Sequence, residues 1–361
     1  MNRVRLTSIQ ALRGVAACMV LLYHLSYTLE EHYLVEGVRF RPFGFFVELG
    51  YAGVDLFFVI SGFVMTVTCY DRLGDPRAVG SFLWRRATRI YPLYWLVTLA
   101  VLLLAWFEPS LATRSKDDLG HIFKSVVLWR QDVFPIMGVG WTLSYEVFFY
   151  LVFAVLIACP RKLHLLLLMA WGGITLLRFP GFSQENTQGT VSLLHLPFTA
   201  SPLVLEFIGG CLIGWLIKLE ITGWGRSAQA AGWAGVLLIG GVSRAFTEFD
   251  FEYGLLRLLT FGSCVGLIVY GSAAQESRGK FVIPAWLIKI GDASYSLYLT
   301  HVYVIYCIVI LVKSPAKNLG YATATSLSLA AFVTCLAVGQ VTFQLVEKPL
   351  IECSRLGLKR S

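Results

Sequence analysis

The sequence predicts an all-α, polytopic integral membrane protein with about ten transmembrane helices and both termini in the cytoplasm. Three observations carry that expectation. The chain is 57% hydrophobic and only 14% charged, with a mean hydropathy of +0.68, where a soluble protein would carry about a quarter charged residues. Apolar runs long enough to span a bilayer recur along all 361 residues. Lys and Arg are divided unevenly between alternate connections.

The first run, near 7–28, follows a short basic segment with Arg3 and Arg5. A signal peptide begins similarly, but this run contains Arg13 and His24 and lacks a small-residue cleavage site, so it reads as a retained helix. Eleven residues make about three turns, which puts Arg13 and His24 on one face, roughly 16 Å apart along the axis. Both groups are costly in hydrocarbon and call for a cavity or a partner. The second span, near 45–69, returns with "GYAGVDLFFVISGFVM" and carries Asp55. Neighbouring helices usually pack together, so an encounter between Asp55 and His24 is expected. A carboxylate there would fix the imidazole tautomer and raise its basicity.

The third span, near 88–107, is preceded by "FLWRRATRIYPLYW". On a helix Arg85 and Arg86 both neighbour Arg89. The positive-inside rule alone would accommodate these charges. Three guanidinium groups at a helix mouth would also suit phosphate, which they bind bidentately. Pro92 would end or kink a helix unless it falls in the first turn. The connection 108–139 contains "DDLGHIFKSVVLWR", an amphipathic stretch expected at the membrane interface.

The fourth span, near 140–159, opens "GWTLSYEVFFY", with Glu146 a turn and a half in. Further spans are expected near 163–179, 200–219, 228–245, 255–273, 288–312 and 320–344. The clusters "GGCLIG" and "GSCVG" suit close helix packing. The ninth span carries "GDASYSLYLTH" and brings His301 to mid-membrane. His24, Asp55, Glu146 and His301 could surround one buried polar site, although each could also serve a structural interhelical hydrogen bond.

The side holding both termini collects eighteen Lys and Arg residues against ten in the opposite loops, which also carry Glu248, Asp250 and Glu252. That asymmetry assigns both termini to the cytoplasm and accounts for the net charge of +8. No basic patch on a recognisable soluble module points to nucleic acid. The eight cysteines are scattered through apolar runs with no CxxC pair and no zinc spacing, so they read as packing residues and no metal is expected. Arg13 with Arg85, Arg86 and Arg89 would hold an anionic cosubstrate at the cytoplasmic face, its reactive end reaching His24. A nucleotide-tailed molecule with a long thin arm fits, and acetyl-CoA is the obvious one.

At this point the motifs resemble those of the membrane-bound acyltransferase 3 family, and within it the bacterial exopolysaccharide O-acetyltransferases. The Arg-x10-His signature appears as Arg13 and His24, and the Gly-Val-Asp-x-Phe-Phe-x-x-Ser-Gly-Phe box as residues 53–63. The Arg-x-x-Arg-x-x-Pro element matches Arg86, Arg89 and Pro92. The Trp-x-Leu-x-x-Glu pattern falls on Trp141, Leu143 and Glu146, and Ser-Tyr-x-x-Tyr-x-x-His on Ser294, Tyr295, Tyr298 and His301. A terminal Glu-x-Pro falls on Glu347 and Pro349.

The resemblance implies acyl transfer from cytoplasmic acyl-CoA to a carbohydrate hydroxyl, with His24 essential and the arginines serving the CoA end. It implies a multi-pass protein of the bacterial inner membrane acting on a polysaccharide or lipid-linked oligosaccharide. Some family members carry a fused hydrolase-like domain; here one transmembrane domain, 1–361, is expected. His24 would be general base or carry the acetyl group, supported by Asp55 or Glu146. Trp141, Ser294 and Tyr295 would contact substrate; Ser294 and Tyr295 could donate to the developing oxyanion, although core packing is the commoner role for a tyrosine in an aromatic-rich helix. The other readings are a transporter of a glycan or anion through the polar centre, or an acyltransferase using succinyl-CoA, a macrolide or a lipid. The sequence is silent on oligomeric state.

Overall fold

The structure, a computed structural model, describes residues 6–32, 34–35, 38–39, 43, 49–107, 118–178, 198–245, 254–279, 282–312 and 318–357. Helices stand at all ten expected positions. They are α1 (Thr7–His32), α2 (Gly50–Cys69), α3 (Ala78–Ala105), α5 (Gly140–Ala158), α6 (His164–Arg178), α7 (Leu203–Lys218) and α8 (Gly225–Ala245). The short α4 (Leu119–Val126) lies between α3 and α5. Near the eighth position α9 (Gly254–Arg257) passes through a π-helical turn (Leu258–Gly262) into α10 (Ser263–Ser277). The ninth is split into α11 (Ala285–Asp292) and α12 (Ser294–Val312). The last, α13 (Tyr321–Thr342), runs through a second π turn (Phe343–Glu347) into α14 (Lys348–Gly357).

Seven described helices are long and apolar enough to cross a membrane. The other three positions hold α6 and α7, of 15 and 16 residues, and α8, which carries Arg226, Ser227 and Gln229. Three two-residue strands, β1 (Leu34–Val35), β2 (Val38–Arg39) and β3 (Asn318–Leu319), form a small sheet in the order β2-β1-β3. It ties the connection after α1 to the one before α13. Among the charged loop residues used to orient the chain, Arg3, Arg5, Arg41, Arg114, Lys116, Glu248, Asp250, Glu252, Lys280, Lys313, Lys317, Lys359 and Arg360 lie outside the described residues, as do residues 45–48 of the expected second span, Asp117 of the amphipathic stretch and residue 179.

The largest difference from expectation is at α3, which starts at Ala78 rather than near 88. Asp75 starts it by accepting the N–H of Arg77 on its side chain and that of Ala78 on its backbone, both at 3.0 Å. The arginines depress the local hydropathy and hide this helical half from an apolarity reading. Pro92 therefore lies inside a continuous helix. The amphipathic stretch forms α4, with Asp118 accepting the N–H groups of Gly120 (2.8 Å) and His121 (3.3 Å) as its N-cap. Leu119 and Phe123 stay exposed while His121 and Ser125 are buried, as an interfacial helix requires. Its C-terminal carbonyls are taken by donors from α3: Tyr94 to Ser125 (2.7 Å), Trp95 to Val126 (2.9 Å) and Tyr91 to Val127 (3.1 Å).

In lipid, helices associate through close packing rather than water exclusion, so small residues set the geometry. The α2–α7 pair is the tightest. A Cβ on Gly62 would lie 2.0 Å from the Phe207 carbonyl oxygen, and one on Gly210 2.0 Å from that of Val59. Helix α1 is the hub, touching α2, α10, α11, α12 and α13. Its N-terminus is capped by Glu276 of α10, which accepts the N–H groups of Thr7 (2.7 Å) and Ser8 (3.0 Å) as well as both hydroxyls. Gly14 packs on the backbone of α11 at Gly291.

Candidate functional site

Helices α1, α2, α3, α5 and α12 enclose a cavity of about 90 Å³ whose wall includes Arg13, Arg86, Arg89, Glu146, Ser294 and Tyr298. Arg13 comes from the first two turns of α1, and Arg86 and Arg89 share a face of α3. Glu146 interacts electrostatically with Arg13, and Glu347 with both Arg13 and Arg89. Glu146 accepts hydrogen bonds from Ser61 (3.2 Å) and from Tyr150 one turn further along α5. Glu347 is buried and accepts from Ser296 at 2.5 Å. The Arg86 guanidinium lies over the rings of Phe82 and Tyr150 at 5.5 and 5.4 Å. Three guanidinium groups against two carboxylates leave the cavity with a positive balance, suited to an anionic ligand.

The structure redistributes some of the expected group. Arg85 donates to Ser81 at 3.1 Å and does not line the cavity. Trp141 packs edge-on against Tyr145 at 6.0 Å and is also absent from the wall. Tyr295 lines the cavity, but its hydroxyl donates to the Ile90 carbonyl at 2.7 Å beside Pro92. A phenol has one proton to give, so Tyr295 cannot be an oxyanion donor in this arrangement. Ser294 is fully buried in the wall, and its hydroxyl has no hydrogen-bond partner among the described residues. It lies seven residues before His301, about 10 Å along the helix, so it belongs with the arginines rather than with the histidines.

His24 and His301 meet across α1 and α12, with His301 Nε2 3.2 Å from His24 Nδ1 and the ring centroids 5.0 Å apart. The pair fixes its own tautomers. His24 Nδ1 lies 3.0 Å from the Val20 carbonyl and His301 Nδ1 3.1 Å from that of Leu297. A carbonyl only accepts, so both Nδ1 atoms carry the hydrogen. His24 Nδ1–H is then shared between the Val20 carbonyl and the lone pair of His301 Nε2, which leaves His24 Nε2 unprotonated. That is the arrangement of an oriented base with a neutral second ring as its orienter. Tyr298 joins this pair to the cavity: its ring is 5.9 Å from that of His301.

Neither expected carboxylate partners His24. Asp55 is fully buried, but it accepts from Arg257 Nε at 2.7 Å. The reason is rotational. Gly53 faces α1, where a Cβ would lie 2.7 Å from the Ala16 carbonyl oxygen. Asp55, two residues on, is about 200° round the helix and points to Arg257 and Glu206 instead. Glu146 stays with the arginines. Sequence reasoning missed Arg257, which reads as the edge of a span, and Glu206, a single acidic residue opening α7. Tyr150 was also missed, although it stands at i+4 from Glu146, a spacing that could have found it, and Ser61 was read only as part of the 53–63 box. Glu347 and Tyr298 are part of the motifs without an assigned role.

A family model described as an acyltransferase domain matches residues 6–342. The chain is 32% identical over 326 residues to the exopolysaccharide production protein ExoZ of Rhizobium meliloti (strain 1021), covering 86% of this chain and 93% of that protein. It is 24% identical to the acyltransferase MdmB of Streptomyces mycarofaciens, over 98% of this chain and 92% of that one. It is 23% identical to the peptidoglycan O-acetyltransferase OatA of Listeria monocytogenes serovar 1/2a (strain ATCC BAA-679 / EGD-e), covering 97% of this chain and 56% of OatA. No solved structure matches. With a family model matching nearly its whole length, joined to a polar site inside a bundle of membrane-length helices, this chain belongs to the acyltransferase 3 family of membrane acyltransferases.

Proposed function

We propose that the enzyme moves an acetyl group from acetyl-CoA, taken up at the cytoplasmic face, to a hydroxyl of a polysaccharide or lipid-linked oligosaccharide at the bacterial cytoplasmic membrane. The observation that carries the reading is the continuity of one site. An arginine-lined cavity begins at Arg13, Arg86 and Arg89, reaches Tyr298, and adjoins the His301–His24 pair. Phosphates suit the arginine end, and the roughly 16 Å from Arg13 to His24 suits a thin arm with a thioester at its tip. The named activities of the relatives, peptidoglycan O-acetylation and exopolysaccharide production, support acetyl and polysaccharide as the two substrates.

In the proposed step His24 Nε2 takes the proton of the acceptor hydroxyl as its oxygen attacks the thioester carbonyl. The C–S bond breaks, the sulfur leaves as thiolate, and the His24 imidazolium returns the proton to it. The charge on His24 is stabilised through Nδ1–H by His301 Nε2. Ser294 donates to the donor molecule near the arginines. Asp55, held by Arg257, supports the scaffold rather than the imidazole.

The test is transfer from labelled acetyl-CoA in membranes bearing wild type or His24→Ala, supplied with the host polysaccharide precursor. Label reaching glycan with wild type alone is the expected result, whereas equal labelling by the variant would refute the mechanism. Acid-quenched enzyme carrying label on His24 would make the imidazole a nucleophile instead of a base.

A further inference from the structure

Beyond the histidine pair, α1 continues as a stripe that the mechanism above leaves unused. Tyr23, Tyr27 and Glu31 recur every four residues and so share one face. The Tyr23 ring meets His24 edge-on at 5.2 Å, and it stacks on Tyr27 at 6.2 Å with the planes 23° apart. Tyr27 is 56% exposed. Across from it, half-buried Tyr306 of α12 interacts electrostatically with both Glu31 and Tyr27. The stripe runs from the reacting nitrogen's own neighbour outward for about 12 Å.

Glu31 lies beyond the expected span, near 7–28, so the stripe ends at the membrane–water interface, within reach of a water-borne ligand. A pyranose ring offers two surfaces: a face of C–H groups and an edge of hydroxyls. Phenol faces bury the first, and tyrosine hydroxyls and a carboxylate accept hydrogen bonds from the second. We propose that Tyr23, Tyr27, Tyr306 and Glu31 form the acceptor subsite, on which a short run of uncharged sugar rings stacks so that one hydroxyl reaches His24 Nε2. A carboxylate at its far end disfavours acidic sugars at that position. This inference rests on the acyl-transfer reading above.

The experiment uses the purified full chain in nanodiscs, labelled acetyl-CoA, and base-de-O-acetylated exopolysaccharide repeat units from the host strain. Tyr27→Ala and Glu31→Gln are compared with wild type and with Tyr27→Trp, which keeps a stacking face. The expected result is a glycan KM raised about tenfold in Tyr27→Ala, a shift several times larger than that of its acetyl-CoA KM, with Tyr27→Trp close to wild type. Glu31→Gln should weaken neutral repeat units and narrow the difference between neutral and acidic ones. An unchanged glycan KM in Tyr27→Ala, with wild type transferring normally, would overturn the subsite alone. So would equal rises in both KM values, because Tyr27 would then act on the whole fold. CoA release by wild type with no label on the glycan would refute the acyl-acceptor reading and the subsite together.

Discussion

The catalytic proposal turns on one nitrogen. His24 Nε2 bears the lone pair because the Val20 carbonyl claims Nδ1–H and His301 shares it. Replacing His24 by Ala should lower kcat by roughly 10²–10⁴-fold. His301→Ala should lower kcat on the order of 10²-fold with little change in the acetyl-CoA KM. His301→Gln, whose amide oxygen can accept from Nδ1–H, should recover part of the loss. Steady-state kinetics in nanodiscs separates the cases, and a His301→Ala enzyme with unaltered kcat would remove the orienting role. Arg89→Ala acts at the other end and should raise the acetyl-CoA KM roughly 10–100-fold, the worth of one charge-assisted contact. Arg13, His24, Arg86, Arg89 and Glu146 are readable in the sequence because each interrupts or borders an apolar run. Their pairing is not readable. Which residue faces which depends on rotation about each helix axis, and a shift of two residues turned Asp55 from His24 to Arg257.

At the level of elements, the decisive contacts are backbone on backbone. Gly62 of α2 and Gly210 of α7 each leave no room for a methyl group. Gly62→Ala should destabilise the protein by about 3 kcal/mol, read as a lower thermal aggregation midpoint in detergent with the site residues untouched. The Asp55–Arg257 pair lies in the same region, with side-chain exposures of 0% and 4%. Asp55→Ala should cost about 3 kcal/mol in the same assay, because the buried Arg257 guanidinium loses the carboxylate that accepts its Nε–H, although Glu206 stays beside it. The ten helical positions follow from apolarity alone. The early start of α3 does not, because its arginines are polar in composition yet half-buried in the fold. The π turns at 258–262 and 343–347 are equally silent in the sequence, though each adjoins a buried charge, Arg257 or Glu347.

For the whole molecule, the orientation proposed from eighteen against ten basic residues makes a direct prediction. Cys353 is exposed on α14, which packs against α3, the helix bearing Arg86 and Arg89. A membrane-impermeant maleimide should label Cys353 in inverted vesicles and not in intact spheroplasts. The reverse pattern would put the arginine cavity on the outside, out of reach of cytoplasmic acetyl-CoA. The small β sheet and the stripe from Tyr23 to Glu31 then belong to the outer side, where a growing glycan would be met.

The position of α1 has a consequence for how the chain is made. Helix α1 is made well before the residues that cap and orient it, Glu276 at its N-terminus, Gly291 against Gly14 and His301 against His24, whereas Glu146, which interacts with Arg13, comes midway. At ordinary elongation rates, tens of seconds pass between α1 and these late residues. Through that interval α1 lacks its N-terminal cap and the ring that partners His24, and a chain terminated before residue 276 would gain neither. Seating of α1 therefore closes from late residues back to early ones, and the proposed site forms only once His301 has been made.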